Sequence, residues 1–77
     1  MKNICLLTDI KTGQTAVVES LCAKSGIRRR LQDIGLIEGT KIKCILKSPF
    51  NDPAAFRIRG AVIALRNEDS DTVIVSY

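Results

Sequence analysis

The chain has 77 residues, 45% of them hydrophobic and only 4% aromatic, with 12 Lys and Arg against 8 Asp and Glu and a net charge of +4. That length allows one domain, residues 1–77, with a modest core, because so short a chain buries only ~60% of the surface its unfolded form exposes. Histidine is absent, which removes the usual general base and the commonest zinc ligand. With no nucleophile–base pair and no glycine-rich phosphate loop in its place, no enzyme is expected.

Cys5, Cys22 and Cys44 are odd in number and far apart, with no Cys-x-x-Cys pair. They read as small buried hydrophobes of a protein in a reducing compartment, without disulfide, metal or cofactor. Ile4–Leu7 is too short for the ~7–15-residue apolar core of a secretion signal, and nothing approaches the ~18 residues of a membrane span. A soluble, cytoplasmic chain, monomeric or weakly oligomeric and not inserted in a membrane, is therefore expected.

In chain order, Thr8 and Asp9 offer a local cap for a brief helical turn around Ile10, and Gly13 marks a turn. Thr15–Leu21 is β-rich, with Ala16 and Val18 on one face and Val17 on the other. Ile27, Leu31 and Ile34 then fall at i, i+4 and i+7, one stripe of a helix. Ser25 is placed to cap it. Gly35 is placed to end it in a left-handed conformation, with Leu36 folding back on Leu31.

After a turn at Gly39, residues 41–47 alternate, so Ile42, Cys44 and Leu46 are expected inside and Lys41, Lys43 and Lys47 in water. Residues 48–53 (SPFNDP) form a loop, since Pro49 and Pro53 lack the amide a ladder needs and Asn51 tolerates positive φ. Phe56 and Ile58 alternate with Arg57 and Arg59, and Gly60 marks a bulge or tight bend before the next strand. Asn67–Asp71 reads as a turn or one helical turn, and Thr72–Ser76 as the last strand. Mostly β, with about five short strands and one short helix between the first two, this is the profile of a small SH3-like barrel, since closing a small sheet hides its edges.

Residues 28–39 (RRRLQDIGLIEG) fit the pattern arginine, any residue, basic, Leu-x-x-[Leu/Ile]-Gly-[Leu/Met]-x-x-Gly. SPFNDP, then Ile63–Arg66 and Val73–Val75, follow at matching distances, with Leu7, Ile10 and Gly13 upstream. The chain thereby resembles the FeoA family of small cytoplasmic ferrous-iron transport proteins over nearly its whole length. It is also similar to the SH3-like C-terminal domain of iron-dependent repressors. The family often has proline where this chain has Glu38 and glycine where it has Asn51; both substitutes suit turns.

The resemblance implies a non-enzymatic accessory that binds and modulates FeoB, a membrane transporter carrying a GTPase domain, at the inner face of the membrane. Transferred by position, the partner-contacting residues are Arg28 and Arg30 on the helix and Pro49, Asp52 and Pro53 in the loop. Phe50, at the loop tip, is a candidate apolar anchor, unless it packs back on the barrel. Basic residues in a first helical turn oppose the helix dipole. Arg28 and Arg30 therefore call for an offsetting carboxylate, in a partner or within the fold, whereas Arg29 can pair with Asp33 at i+4.

Three other classes were weighed. Arg28–Arg30 with Lys41, Lys43 and Lys47 could grip nucleic acid, but small barrels bind single strands by stacking bases on aromatic side chains, and two Phe and one Tyr supply no such platform. A proline-peptide groove needs the same aromatics. A metal sensor would have to use Asp33, Glu38, Asp52, Glu68, Asp69 and Asp71, which are spread along the chain and cluster only in a solvated turn. A general peptide-interaction module of SH3-like fold stands as the alternative function.

Overall fold

The final strand is the seam of the molecule. In the computed structural model, which describes residues 2–50 and 52–77, β6 (Val73–Ser76) lies between β1 (Ile4–Leu6) and β2 (Thr15–Leu21). Cys5 pairs with Val75 on one side and Val18 with the same Val75 on the other. From β2 the sheet continues through β3 (Lys41–Lys47), β4 (Ala54–Ile58) and β5 (Ala61–Leu65), every neighbour antiparallel. The order β1-β6-β2-β3-β4-β5 leaves β1 and β5 as edges; no ladder joins them among the described residues, so the small barrel is open.

Among the described residues six strands form where about five were expected. The extra one, β1, has three residues and no readable alternation. It exists because β6, some seventy positions away, offers it a free edge. A 3-10 turn (Leu7–Asp9) follows at once, with Asp9 Oδ2 accepting the Leu6 amide at 3.2 Å. The brief turn is thus centred on Thr8, two residues earlier than the expected turn around Ile10.

One core binds the sheet. Phe56, its largest buried side chain, belongs to the same cluster as Leu7, Ile42, Ile58, Val73 and Val75, and the strands bend around it. Ala16 and Val18 face in, as do Ile42 and Cys44, in keeping with their alternation. Leu46 does not: the register of β3 against β4 shifts between Cys44 and Leu46, so a bulge turns Leu46 outward. Lys47, expected in water, is half-buried and donates from Nζ to the Thr8 carbonyl at 3.2 Å. Gly60 makes a tight bend rather than a bulge. Arg59 and Gly60 both have positive φ (51° and 85°), the signature of a two-residue hairpin joining Ile58 to its partner Ala61.

The helix α1 (Ser25–Asp33) lies between β2 and β3. Its N-cap is Lys24, with no side-chain cap, because Ser25 is already helical and cannot fold its hydroxyl back on the first turn. The other end follows the expected motif. The Gly35 amide donates to the Gln32 carbonyl and the Leu36 amide to the Leu31 carbonyl, both at 3.0 Å, with Gly35 at φ 108°. The apolar stripe is narrower than its spacing: Leu31 is buried, Ile34 half-buried and Ile27 exposed. Arg29 and Asp33 form no ion pair among the described residues. An acid placed C-terminal to its base is the weaker i, i+4 order, and a few tenths of a kcal/mol do not immobilise two exposed side chains.

Candidate functional site

A four-residue helix joins the two segments that the sequence singles out. α2 (Asn67–Ser70) starts after Arg66, whose side chain makes no cap, so its first amides need an acceptor from elsewhere. Asp52 supplies one: its Oδ1 accepts the Asn67 amide at 3.0 Å. From the other side, Arg30 Nη2 donates to Asp69 Oδ1 at 3.0 Å. The loop, α2 and α1 are thereby tied together at one end of the molecule. The Arg30 side chain is 64% exposed and that of Asp69 15%, so this pair orients more than it stabilises, at about 0–1 kcal/mol. Arg30 lies in the last turn of α1 and not in the first, so the helix dipole favours it and the expected penalty does not arise; Asp69 is nonetheless its carboxylate within the fold.

The 48–53 loop is closed on itself. Ser48 Oγ accepts the Asp52 amide at 2.9 Å, and the Ser48 amide donates to the Pro53 carbonyl at 3.2 Å. Pro53 is half-buried, Pro49 and Asp52 are exposed, and the Asp52 carboxylate accepts from α2 at the surface. Asn51, expected at positive φ, lies outside the described residues. Phe50 is 90% exposed: it does not pack back on the barrel, and a large apolar ring stands in water at the tip of a braced loop.

Arg28 points elsewhere. It lines a cleft of about 190 Å³ with Glu19, Gln32 and Glu38, between α1 and β2. The structure therefore brings Arg30 together with Asp52 and the loop through α2, and sets Arg28 on another side of α1. In the cleft Glu19 is held by Ser76, whose Oγ donates to Oε2 at 2.6 Å, and by Lys2 Nζ at 3.3 Å. Those two donors, the serine hydroxyl first, pull the Glu19 carboxyl below its ordinary 4.5.

A depressed carboxylate contributes stability above its unfolded pKa and loses it as pH falls through the folded value. The wild-type protein is accordingly expected to exceed Glu19→Gln in stability above pH 4.5, with the gap closing in acid. Urea melts of both proteins from neutral to acidic pH check this; a gap that widens in acid would reverse the assignment.

The cysteines are unpaired and differ in access. Cys44 is buried and Cys5 half-buried, but Cys22 is exposed, contrary to the expectation that all three are buried. It stands just past the end of β2, where the strand leaves the core. Burial, with Asp9 nearby, raises the Cys5 thiol above its ordinary 9.0, so it stays protonated at neutral pH. In the native protein, Ellman's reagent is expected to modify Cys22 within the first phase, Cys5 far more slowly, and Cys44 only on unfolding. Among the described residues no three Cys, Asp or Glu side chains are grouped so as to hold a metal ion.

Sequence reasoning found the loop and the arginines but missed Asp69, Asn67 and Ser48 as what connects them. The signal was present in the acidic start of Asn67–Asp71, a helix-opening pattern. Which distant groups it would meet was not.

Comparison with known proteins agrees with this architecture. Residues 5–77 match the family model described as the FeoA domain. A curated relative, the Fe(2+) transport protein A/Fe(2+) transporter FeoB fusion protein of Porphyromonas gingivalis, is 29% identical over 69 residues, covering 90% of this chain but only 8% of that protein. The FeoA solution structure from Chlorobium tepidum superposes with a TM-score of 0.86 at 32% identity, over 92% of this chain and 68% of that one. Stenotrophomonas maltophilia FeoA, solved with zinc and described as a prokaryotic SH3 domain protein, gives 0.82 at 28% identity, over 92% and 88%. A manganese-dependent transcriptional repressor shares the fold alone, with a TM-score of 0.86 at 17% identity over 97% of this chain and 42% of that one. The barrel is SH3-like, and the chain belongs to the FeoA family.

Proposed function

We propose that this chain is a non-enzymatic, cytoplasmic accessory of ferrous iron uptake that docks on a FeoB-type transporter and modulates it. The observation that carries the reading is Phe50, 90% exposed on a loop that Asp52 ties to α2, which Arg30 holds from the other side. An exposed aromatic on a braced support loses little entropy on binding, which is what a contact hot spot requires. That the Porphyromonas gingivalis relative joins a transport protein A to a FeoB transporter in one chain supports the choice of partner. Among the described residues no helix is long and apolar enough to cross a membrane. Contact with the membrane would therefore come through the transporter.

The test is site-specific photocrosslinking. A benzophenone amino acid replaces Phe50 in one protein and Val62, on the far edge strand, in another. Each is irradiated with the detergent-solubilised transporter of the same cell, and adducts are mapped by mass spectrometry. Adducts from position 50 on the transporter's cytoplasmic part are expected. Adducts from position 62 and none from 50 would move the docking face away from the loop and overturn the reading.

A further inference from the structure

The outer face of β3 and β4, with the turn that follows β4, carries four cations that no carboxylate pairs among the described residues. Lys43 stands directly opposite Arg57 in the ladder; β4 ends at Ile58, and Arg59, the first residue of the hairpin turn, borders the same groove as Lys41 beyond the end of the ladder. All four are exposed, and none forms an ion pair among the described residues. They border a shallow groove of about 550 Å³ with Thr15, Ile37, Gly60 and one acid, Glu38. Like charges facing each other across a ladder destabilise a sheet. Here the Lys43–Arg57 pair stands in the ladder, Lys41 and Arg59 border the same groove, and Glu38 is the one acid that lines it among the described residues.

We infer that this groove is a docking site for an acidic, extended segment of a protein partner, with carboxylates at alternate positions. Spacing favours that occupant. Residues two apart on a strand project from the same face at ~6.6–6.8 Å, and an extended peptide laid along β3 repeats its own side chains at the same interval. Carboxylates at i and i+2 then meet the Lys43–Arg57 row and, two residues along β3, Lys41, with Arg59 on the rim of the same groove. Ile37, 43% exposed, and Val62, opposite Arg57 and 56% exposed, put apolar surface at the margins for the intervening side chains. A phosphate site would instead draw on buried donors or a cradle of amides. This face is separate from the loop that bears Phe50, and the inference does not rest on the transporter reading.

The experiment uses the whole chain and fluorescence anisotropy. One labelled peptide carries glutamates at alternate positions; a second, of equal composition, has them three apart. Pyrophosphate, and phosphatidylcholine vesicles with and without phosphatidylserine, serve as competitors. The alternating peptide is expected to bind at low salt, more tightly than its partner, and to be released as salt screens the charges. Arg57→Glu is expected to weaken it about tenfold, since one pair is lost and one repulsion gained, while Arg29→Glu, with the same charge change, leaves it unaltered. Arg57→Glu also melts higher than the wild-type protein, because it places opposite charges across the ladder, so a folding defect cannot mimic the loss. Equal binding of the two peptides, indifference to Arg57→Glu, or stronger competition by pyrophosphate or anionic vesicles would each overturn the proposal.

Discussion

Gly35→Ala is expected to lower stability by about 2–4 kcal/mol, most of the ~3–5 kcal/mol a core this small supplies. Two costs add. The residue sits at φ 108°, a backbone conformation that L-residues rarely adopt, and the helix needs it there because the Gly35 and Leu36 amides close the last turn. An added Cβ would also lie 2.8 Å from Arg59 Cδ and 3.2 Å from Ile58 Cγ2. The arginine is a flexible surface chain and can swing aside. Ile58 is 1% exposed and cannot move without disturbing the core.

Gly39→Ala separates the two costs. Gly39 also has positive φ, 89°, but an added Cβ there meets nothing within 4 Å. Backbone strain alone is about 1–2 kcal/mol, so Gly39→Ala is expected to be the milder variant. Urea midpoints of both proteins check this. Equal losses would mean that close packing against Ile58 contributes nothing.

Gly35 was legible in the sequence because its reasons are local. A stripe at i, i+4 and i+7 followed by glycine and leucine closes a helix whatever else surrounds it. The strands that alternate over five to seven residues were legible for the same reason. β1 was not: three residues pair with a strand at the other end of the chain. Nor were the bulges at Leu46 and Glu19, which reverse the facing of individual side chains without changing composition. At the site, Arg28, Arg30, Phe50 and Asp52 could be named from their pattern, but their roles depended on distant partners. Arg30 meets Asp69 39 positions away and Asp52 meets Asn67 15 positions away. Asp52 and Arg30 thereby brace the corner of the fold that carries the exposed Phe50, with Arg28 facing a separate cleft.

That division decides how the proposed docking face has to be tested. Reversing Arg28 and Arg30 together does not isolate binding, because a glutamate at position 30 would confront Asp69 and loosen α2. Asp52→Ala has the same defect, since it strips the cap from the Asn67 amide at about 1 kcal/mol. Phe50→Asp has no such defect. The ring is 90% exposed and supports nothing within the fold, so stability is expected to hold within about 0.5 kcal/mol. If the ring fills a pocket on the transporter, replacing it by a solvated carboxylate costs at least ~2 kcal/mol, about a thirtyfold rise in Kd. Biolayer interferometry against the solubilised transporter reads the Kd, and a urea melt of the same sample reads stability. A thirtyfold loss at unchanged stability places the ring in the interface. Unchanged affinity would leave α1, α2 and the loop as a braced corner of the fold with no contact on the transporter.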